Sequence, residues 1–105
     1  MEQHHPMFVR IWRFQVRPEK AGDFLATYGP AGPWATLFHR VAGYLGTDLL
    51  HSATEPDIFF TVDRWESPET WAAFLRAWGD DYAALDRRCE SLTDAEAELG
   101  EFRRL

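Results

Sequence analysis

The sequence predicts an α+β fold, a ferredoxin-like split βαβ in which helices cover one face of an antiparallel sheet. Residues 7–17 and 58–65 alternate along their length and are rich in β-branched and aromatic side chains, as strands are. Each leads to a segment with proline at its first helical position, Pro18 and Pro68, and apolar residues at helical spacing after it. Residues 43–51 alternate again and only a turn separates them from 58–65. The elements therefore read β-α-β-β-α, with a possible last strand.

The whole chain bounds what such a fold can do. Its 105 residues, 46% hydrophobic and 27% charged, suit a single globular domain over 1–105, with five Trp favouring a ring-lined cavity or a buried interface. A formal charge of -6 argues against a nucleic-acid backbone as partner, because Arg10, Arg13 and Arg17 alone make a weak basic patch. Cys89 is the only cysteine, so no internal disulfide can form and a reducing compartment follows. No apolar run approaches the roughly 20 residues of a membrane span, and no signal-peptide core begins the chain. The expected location is the cytoplasm, away from membranes.

Residues 1–6 are polar and read as a loose terminus; adjacent His4 and His5 diverge in an extended segment, so no metal site is expected. In the first strand, Phe8, Arg10, Trp12, Phe14 and Val16 share one face, while Met7, Val9, Ile11, Arg13 and Gln15 share the other. Both faces are apolar in the middle, so both need cover. Pro18 then opens a helix whose Ala21, Phe24, Leu25 and Tyr28 point inward and which Gly29-Pro30 stops. A short helix over 34–40 places Trp34, Leu37, Phe38 and Val41 on the sheet, with His39 at the surface. In the second strand Gly46 marks a bulge or a close approach, and His51 ends the strand, where it can face a cleft or, as strand-end histidines more often do, stand in solvent.

The third strand separates Ile58, Phe60, Val62 and Arg64 from Phe59, Thr61, Asp63 and Trp65. The first set reads as the helix-covered side. The second sets a hydroxyl, a carboxylate and an indole in a row, as a cavity with a few polar anchors would. Asp63 can equally pair with an arginine of the first strand. Ser67 is the expected N-cap of the next helix, whose apolar face carries Trp71, Phe74, Leu75 and Trp78. A break near Gly79 precedes a continuation through Tyr82, Leu85, Cys89 and Leu92, with Cys89 an inert core thiol. Thr93-Asp94-Ala95-Glu96 fits a capping box and predicts a short last helix ended by Gly100, with 101–105 as a final strand. On this reading Trp12, Phe14, Phe59 and Trp65 lie on a bare sheet face too apolar for water, and a second copy packs sheet to sheet against it as a homodimer.

The run Val62-Asp63-Arg64-Trp65-Glu66-Ser67, followed by Trp71 and Phe74, resembles the antibiotic biosynthesis monooxygenase family. The first strand and helix, Gly43-Tyr44-Leu45-Gly46 and the end of the chain are similar too, so the resemblance spans most of the domain. It implies a dimeric α/β barrel and a cofactor-independent oxygenase of electron-rich polyphenolic rings, in which the deprotonated substrate itself passes an electron to dioxygen. Trp65 then matches the pocket tryptophan, Trp71 stands where polyketide-oxidising members carry tyrosine, and Thr61 takes the place of their asparagine; Arg87 or Arg88 is the candidate for an arginine near the second helix. A haem-degrading branch of the superfamily uses an Asn, a Trp and a His where this chain has residues near Trp12, Phe74 and Ala84. No histidine follows His51, which argues against that activity.

Three functions compete. In a monooxygenase acting on a small aromatic, polyketide-like molecule, Trp65, Thr61 and Asp63 are the catalytic candidates. Arg10, Trp12, Phe14, Phe59, Trp71, Phe74 and Tyr82 then hold the substrate, with Tyr82 available as a phenolic proton donor or acceptor. Dioxygen is the co-substrate, and no cofactor or metal is expected. Asp63 needs a pKa raised by burial to act as base near neutrality. In a non-catalytic dimeric binding module, the rings and one polar anchor suffice. In the third reading the aromatics are core and interface alone.

Overall fold

The computed structural model describes residues 7–105. The terminus expected to be loose over 1–6, with His4 and His5, lies outside the described residues. Strand β1 (Phe8–Val16) sits inside a four-stranded sheet, between β3 (Ile58–Trp65) and β4 (Thr93–Arg103), and β2 (Tyr44–His51) pairs with β3 to give the order β2-β3-β1-β4. Every pairing is antiparallel. Helices α1 (Ala21–Tyr28), α2 (Pro33–Phe38) and α3 (Pro68–Cys89) complete the α+β fold.

Local sequence explains most of these boundaries. Pro18 opens a 3-10 turn rather than the helix itself, because Lys20 leaves helical geometry (φ -108°, ψ 6°) before α1 begins. Phe24 and Tyr28 of α1 are buried as expected, but Leu25 points outward and is 47% exposed. Ser67 caps α3 by accepting a hydrogen bond from the Thr70 amide at 3.2 Å. The expected break in α3 falls at Trp78 (φ -130°, ψ 20°), one residue before Gly79, and the helix resumes without a separate cap. Trp71 and Phe74 face the core, Leu75 faces out, and Trp78 lies under the Arg40 guanidinium at 4.7 Å.

The residues that share a sheet face are those that alternation groups together, but the covered face is the opposite one on β3. Phe8, Arg10, Trp12 and Phe14 of β1 stand opposite Trp65, Asp63, Thr61 and Phe59 of β3. All of these except partly exposed Trp12 are buried, against α1, α2 and α3. Phe60, Val62 and Arg64, expected under the helices, are only partly buried and lie on the bare side with Val9, Ile11 and Arg13. Most of the large rings fill the deep layer between sheet and helices, whereas the middle of the bare face carries Val9, Ile11 and Val62.

Two glycine bulges then break the alternation where it matters. Gly46 has φ +133°, and the β2–β3 register slips between Tyr44 and Gly46, so Leu45 is the extra residue. Tyr44 and Thr47, three apart, therefore both face the helices and are buried. A Cβ at Gly46 would come within 2.8 Å of Arg64 Nη2, a mobile side-chain tip that can move aside, so the positive φ is what selects glycine there. On β4, Gly100 (φ +144°) sits at a second slip, beside the extra residue Leu99. Glu98 and Glu101, also three apart, consequently both reach the buried side chain of Arg10.

The predicted last helix does not form. Thr93–Arg103 is one eleven-residue strand, paired along β1 from Val16↔Thr93 to Phe8↔Arg103. The capping box is a preference of a few residues, worth about 1 kcal/mol. Completing the open edge of β1 satisfies a whole ladder of backbone groups and overrides it.

Trp65 is fully buried, with ring centroids of Phe38, Tyr44, Trp71 and Phe74 within 5.0–5.7 Å. Trp65→Ala is expected to cost about 3–5 kcal/mol in chemical denaturation, as deletion of a large ring from a packed core does. A loss under 1 kcal/mol would mean that this centre is not the packed core.

Candidate functional site

A narrow cavity opens between the sheet and the helices of a single chain, with a volume of about 40 Å³. Its sheet wall is Arg10, Trp12 and Phe14 from β1, Thr61 and Asp63 from β3, Thr47 from β2 and Glu96 from β4. The helix wall is Tyr28, Trp34 and Phe38, with Tyr82 and Asp86 from the second half of α3. As it stands the space admits a few water-sized molecules, roughly one per 10–15 Å³.

Asp63 is the buried carboxylate of the wall. It is 7% exposed, and Thr47 Oγ1 donates a hydrogen bond to its Oδ1 at 2.7 Å. Burial pushes its pKa up to about 6, against the opposing pull of the Thr47 hydrogen bond and the Arg10 charge. A carboxyl at that value is mostly ionised at pH 7 yet basic enough to accept a proton. Tyr44 Oη is hydrogen-bonded to Thr47 Oγ1 in turn, and burial raises the Tyr44 phenol to about 12.

Arg10 supplies the positive charge. Although directly opposite Asp63 in the ladder, its guanidinium is ion-paired instead to Glu98 (3.0 Å) and Glu101 (3.4 Å) across β1–β4. It also lies over the Trp71 ring, 3.9 Å from the centroid. The pairing of Asp63 with a first-strand arginine is thus not formed as an ion pair. Tyr82 stands beside Arg10; burial raises its phenol pKa while the guanidinium lowers it. At the other end of the cavity Glu96 is raised by burial first and then by Asp86 and Glu90. The cavity therefore runs between two acidic ends, with its cation already held by carboxylates.

The model of the antibiotic biosynthesis monooxygenase family matches residues 7–84, well over half of the chain. The chain belongs to this family. Solved structures of similar fold include SnoaB, a cofactor-independent oxygenase from Streptomyces nogalater, at 17% identity and TM-score 0.67 over 92% of this chain and 91% of that one. A Nitrosomonas europaea protein described with the same family name aligns at 18% identity and TM-score 0.71, over 100% of this chain and 95% of that one. A conserved protein from Methanosarcina mazei is alike at 14% and 0.71, over 96% and 95%. Identities this low establish a shared ferredoxin-like fold. No curated protein matches the sequence.

Of the residues that the sequence and the family pattern single out, six meet at the cavity: Arg10, Trp12, Phe14, Thr61, Asp63 and Tyr82. Trp65, Phe59 and Phe74 are packed in the core and do not line it. Trp71 supports Arg10 from behind. Arg87 and Arg88 are exposed on the last turn of α3 and away from it, as is exposed His39, whose ring meets the edge of Tyr44. His51 is exposed, stacked on Phe59 and hydrogen-bonded to the Pro56 carbonyl. Thr47, Tyr28, Trp34, Phe38, Asp86 and Glu96 complete the wall without having been singled out. Thr47 had a signal in the neighbouring Gly46; Glu96 was hidden by the capping box. Among the described residues, no group of three or more His, Cys, Asp or Glu is arranged to hold a metal. No helix there is long and apolar enough to cross a membrane.

Proposed function

We propose that this protein is a cofactor-independent monooxygenase of an electron-rich aromatic small molecule, with Asp63 as its general base. The observation that carries the reading is the buried Asp63 carboxyl, raised to about 6 and set in an aromatic wall beside Arg10. The family supports the reaction class, and the ring-lined cavity supports the substrate class.

For an anthrone-type ring, Asp63 removes a proton from the activated CH₂. The resulting carbanion, stabilised by delocalisation and by the Arg10 charge, passes one electron to dioxygen. The radical pair recombines to a hydroperoxide, and loss of the remaining C–H proton with O–O cleavage leaves a carbonyl and one water. Thr61 donates to the substrate oxygen, and Tyr82 exchanges a phenolic proton with it. A fused ring needs some 300 Å³ or more, so binding displaces Tyr82 and Asp86. Both lie beyond the Trp78 kink in α3.

The bare sheet face carries Val9, Ile11, Phe60 and Val62, with Leu50 and Phe102 about half exposed. We propose that a second copy covers this face in a two-fold homodimer. The cavity lies on the other side of the sheet and within each copy, so each chain carries a whole site.

Oxygen uptake with a panel of anthrones and dihydroxynaphthalenes, without added metal or flavin, tests the reading. Uptake is expected to depend on substrate and to rise with pH through about 6. Tryptophan quenching by the same compounds without uptake would instead favour a binding module. Neither signal would refute the substrate class.

A further inference from the structure

We propose that Thr47 and Tyr44 are positioning residues for Asp63: a donor chain from Tyr44 Oη to Thr47 Oγ1 to Asp63 Oδ1 keeps the buried carboxylate ionised beside the cavity. This rests on Asp63 acting as the base.

The direction of the chain follows from proton count. An ionised carboxylate only accepts, so the single hydroxyl proton of Thr47 goes to Asp63. The lone pairs of Thr47 Oγ1 then face Tyr44, whose phenol donates. Each donor polarises the next, and the chain ends on the only atom of the three that carries charge. In a regular strand Tyr44 and Thr47 would point to opposite faces. The Gly46 bulge turns both inward, and its φ of +133° strains any other residue there. A backbone irregularity is thus what assembles the chain.

The other groups that face Asp63 do not replace it. Arg10 lies opposite on β1, but Glu98 and Glu101 hold its guanidinium. Tyr82 of α3 senses the Asp63 charge only weakly, behind Arg10. Asp48 and Arg64 act on Tyr44 with opposite signs. They also pair with each other at 3.5 Å. Exposed His39 meets the Tyr44 ring rather than its hydroxyl chain. Thr47 is the sole hydrogen-bond donor to the Asp63 carboxyl among the described residues.

The test is a titration of side-chain carboxyl carbons in ligand-free protein labelled at aspartate, with the Asp63 signal assigned by its loss in Asp63→Asn. Thr47→Val keeps shape and removes the donor, so the Asp63 midpoint is expected to rise by about one pH unit or more. Tyr44→Phe should raise it by less, and Thr47→Ser should restore the wild-type value. An unmoved midpoint in Thr47→Val overturns the proposal, as does an equal shift in Thr47→Ser. If Thr47→Val fails to fold, an unmoved midpoint in Tyr44→Phe overturns it alone. The acid limb of oxygen uptake should move with the titration. Shifted midpoints without any uptake would sink the oxygenase reading and leave the donor chain standing.

Discussion

Asp63→Asn is expected to abolish turnover and to stabilise the protein. Loss of a general base costs roughly 10²–10⁴ in rate, so oxygen uptake should fall by that factor at pH 7. The stability gain follows from the direction of the pKa shift. Burial lifts the carboxyl from 3.8 to about 6, so the native state holds its proton more tightly than the unfolded chain does. Below pH 4 both states are protonated and nothing is lost. Between pH 4 and 6 the unfolded chain ionises first, and native stability falls as pH rises. Above pH 6 the loss is complete, on the order of 3 kcal/mol at about 1.4 kcal/mol per unit. Asparagine has no charge to desolvate and still accepts from Thr47. It should recover ~1–3 kcal/mol at pH 7–8, read as a raised Tm that converges on wild type near pH 4. Reduced stability at pH 7 would show that the carboxylate is a structural member of the core and remove the argument for it as a tuned base.

A residue that weakens the fold it sits in needs another reason to be there, and the surrounding geometry suggests one. Asp63 is held by a hydroxyl donor on one side and left near a fixed cation on the other, in a wall half of whose residues are aromatic. The expected cost in stability is the counterpart of a carboxylate whose burial raises its basicity toward neutral pH.

How much of this was legible beforehand depended on whether a signal was local. Alternation grouped Trp12, Phe14, Phe59, Thr61, Asp63 and Trp65 on one face, and the register confirms that grouping. Which face the helices cover was not legible, because Val9, Ile11 and Val62 make the other side apolar as well. Hydropathy cannot separate a face buried by helices from one left bare for a partner. The size of the rings was the better guide, since the thick layer between sheet and helices takes indoles and phenyls.

The misread terminus had a second consequence. Taking Thr93–Glu96 for the start of a helix that Gly100 ends took Glu98 out of the sheet and cut the strand to 101–105, so the pair of carboxylates that holds Arg10 was not visible. The β4 strand supplies both partners through the Gly100 bulge, which leaves Asp63 without an ion pair. An error about secondary structure thus became an error about electrostatics. Gly46 was read as a bulge or a close approach and is a bulge, but its effect on Thr47 is a matter of register that one strand cannot reveal.

The sheet face offers the other large effect. Val62 lies at the middle of the bare face, between Ile11 on β1 and Asp48 on β2. In a lone chain it is partly exposed, so Val62→Glu should fold with less than about 1 kcal/mol of lost strand preference. In a two-fold dimer the substitution enters twice and buries two unpaired carboxylates, each costing about 3–5 kcal/mol. The dimer Kd should therefore rise by roughly 10⁴-fold or more, and light scattering at micromolar concentration should report a monomer in place of a dimer. Because the cavity lies on the opposite side of the sheet, the monomer should keep the Asp63 titration and the quenching by aromatic ligands. A wild-type protein that is already monomeric, or a variant that remains dimeric, would rule this face out as the interface. A monomer that loses the Asp63 titration would mean that the partner, and not the helix layer alone, holds the site together.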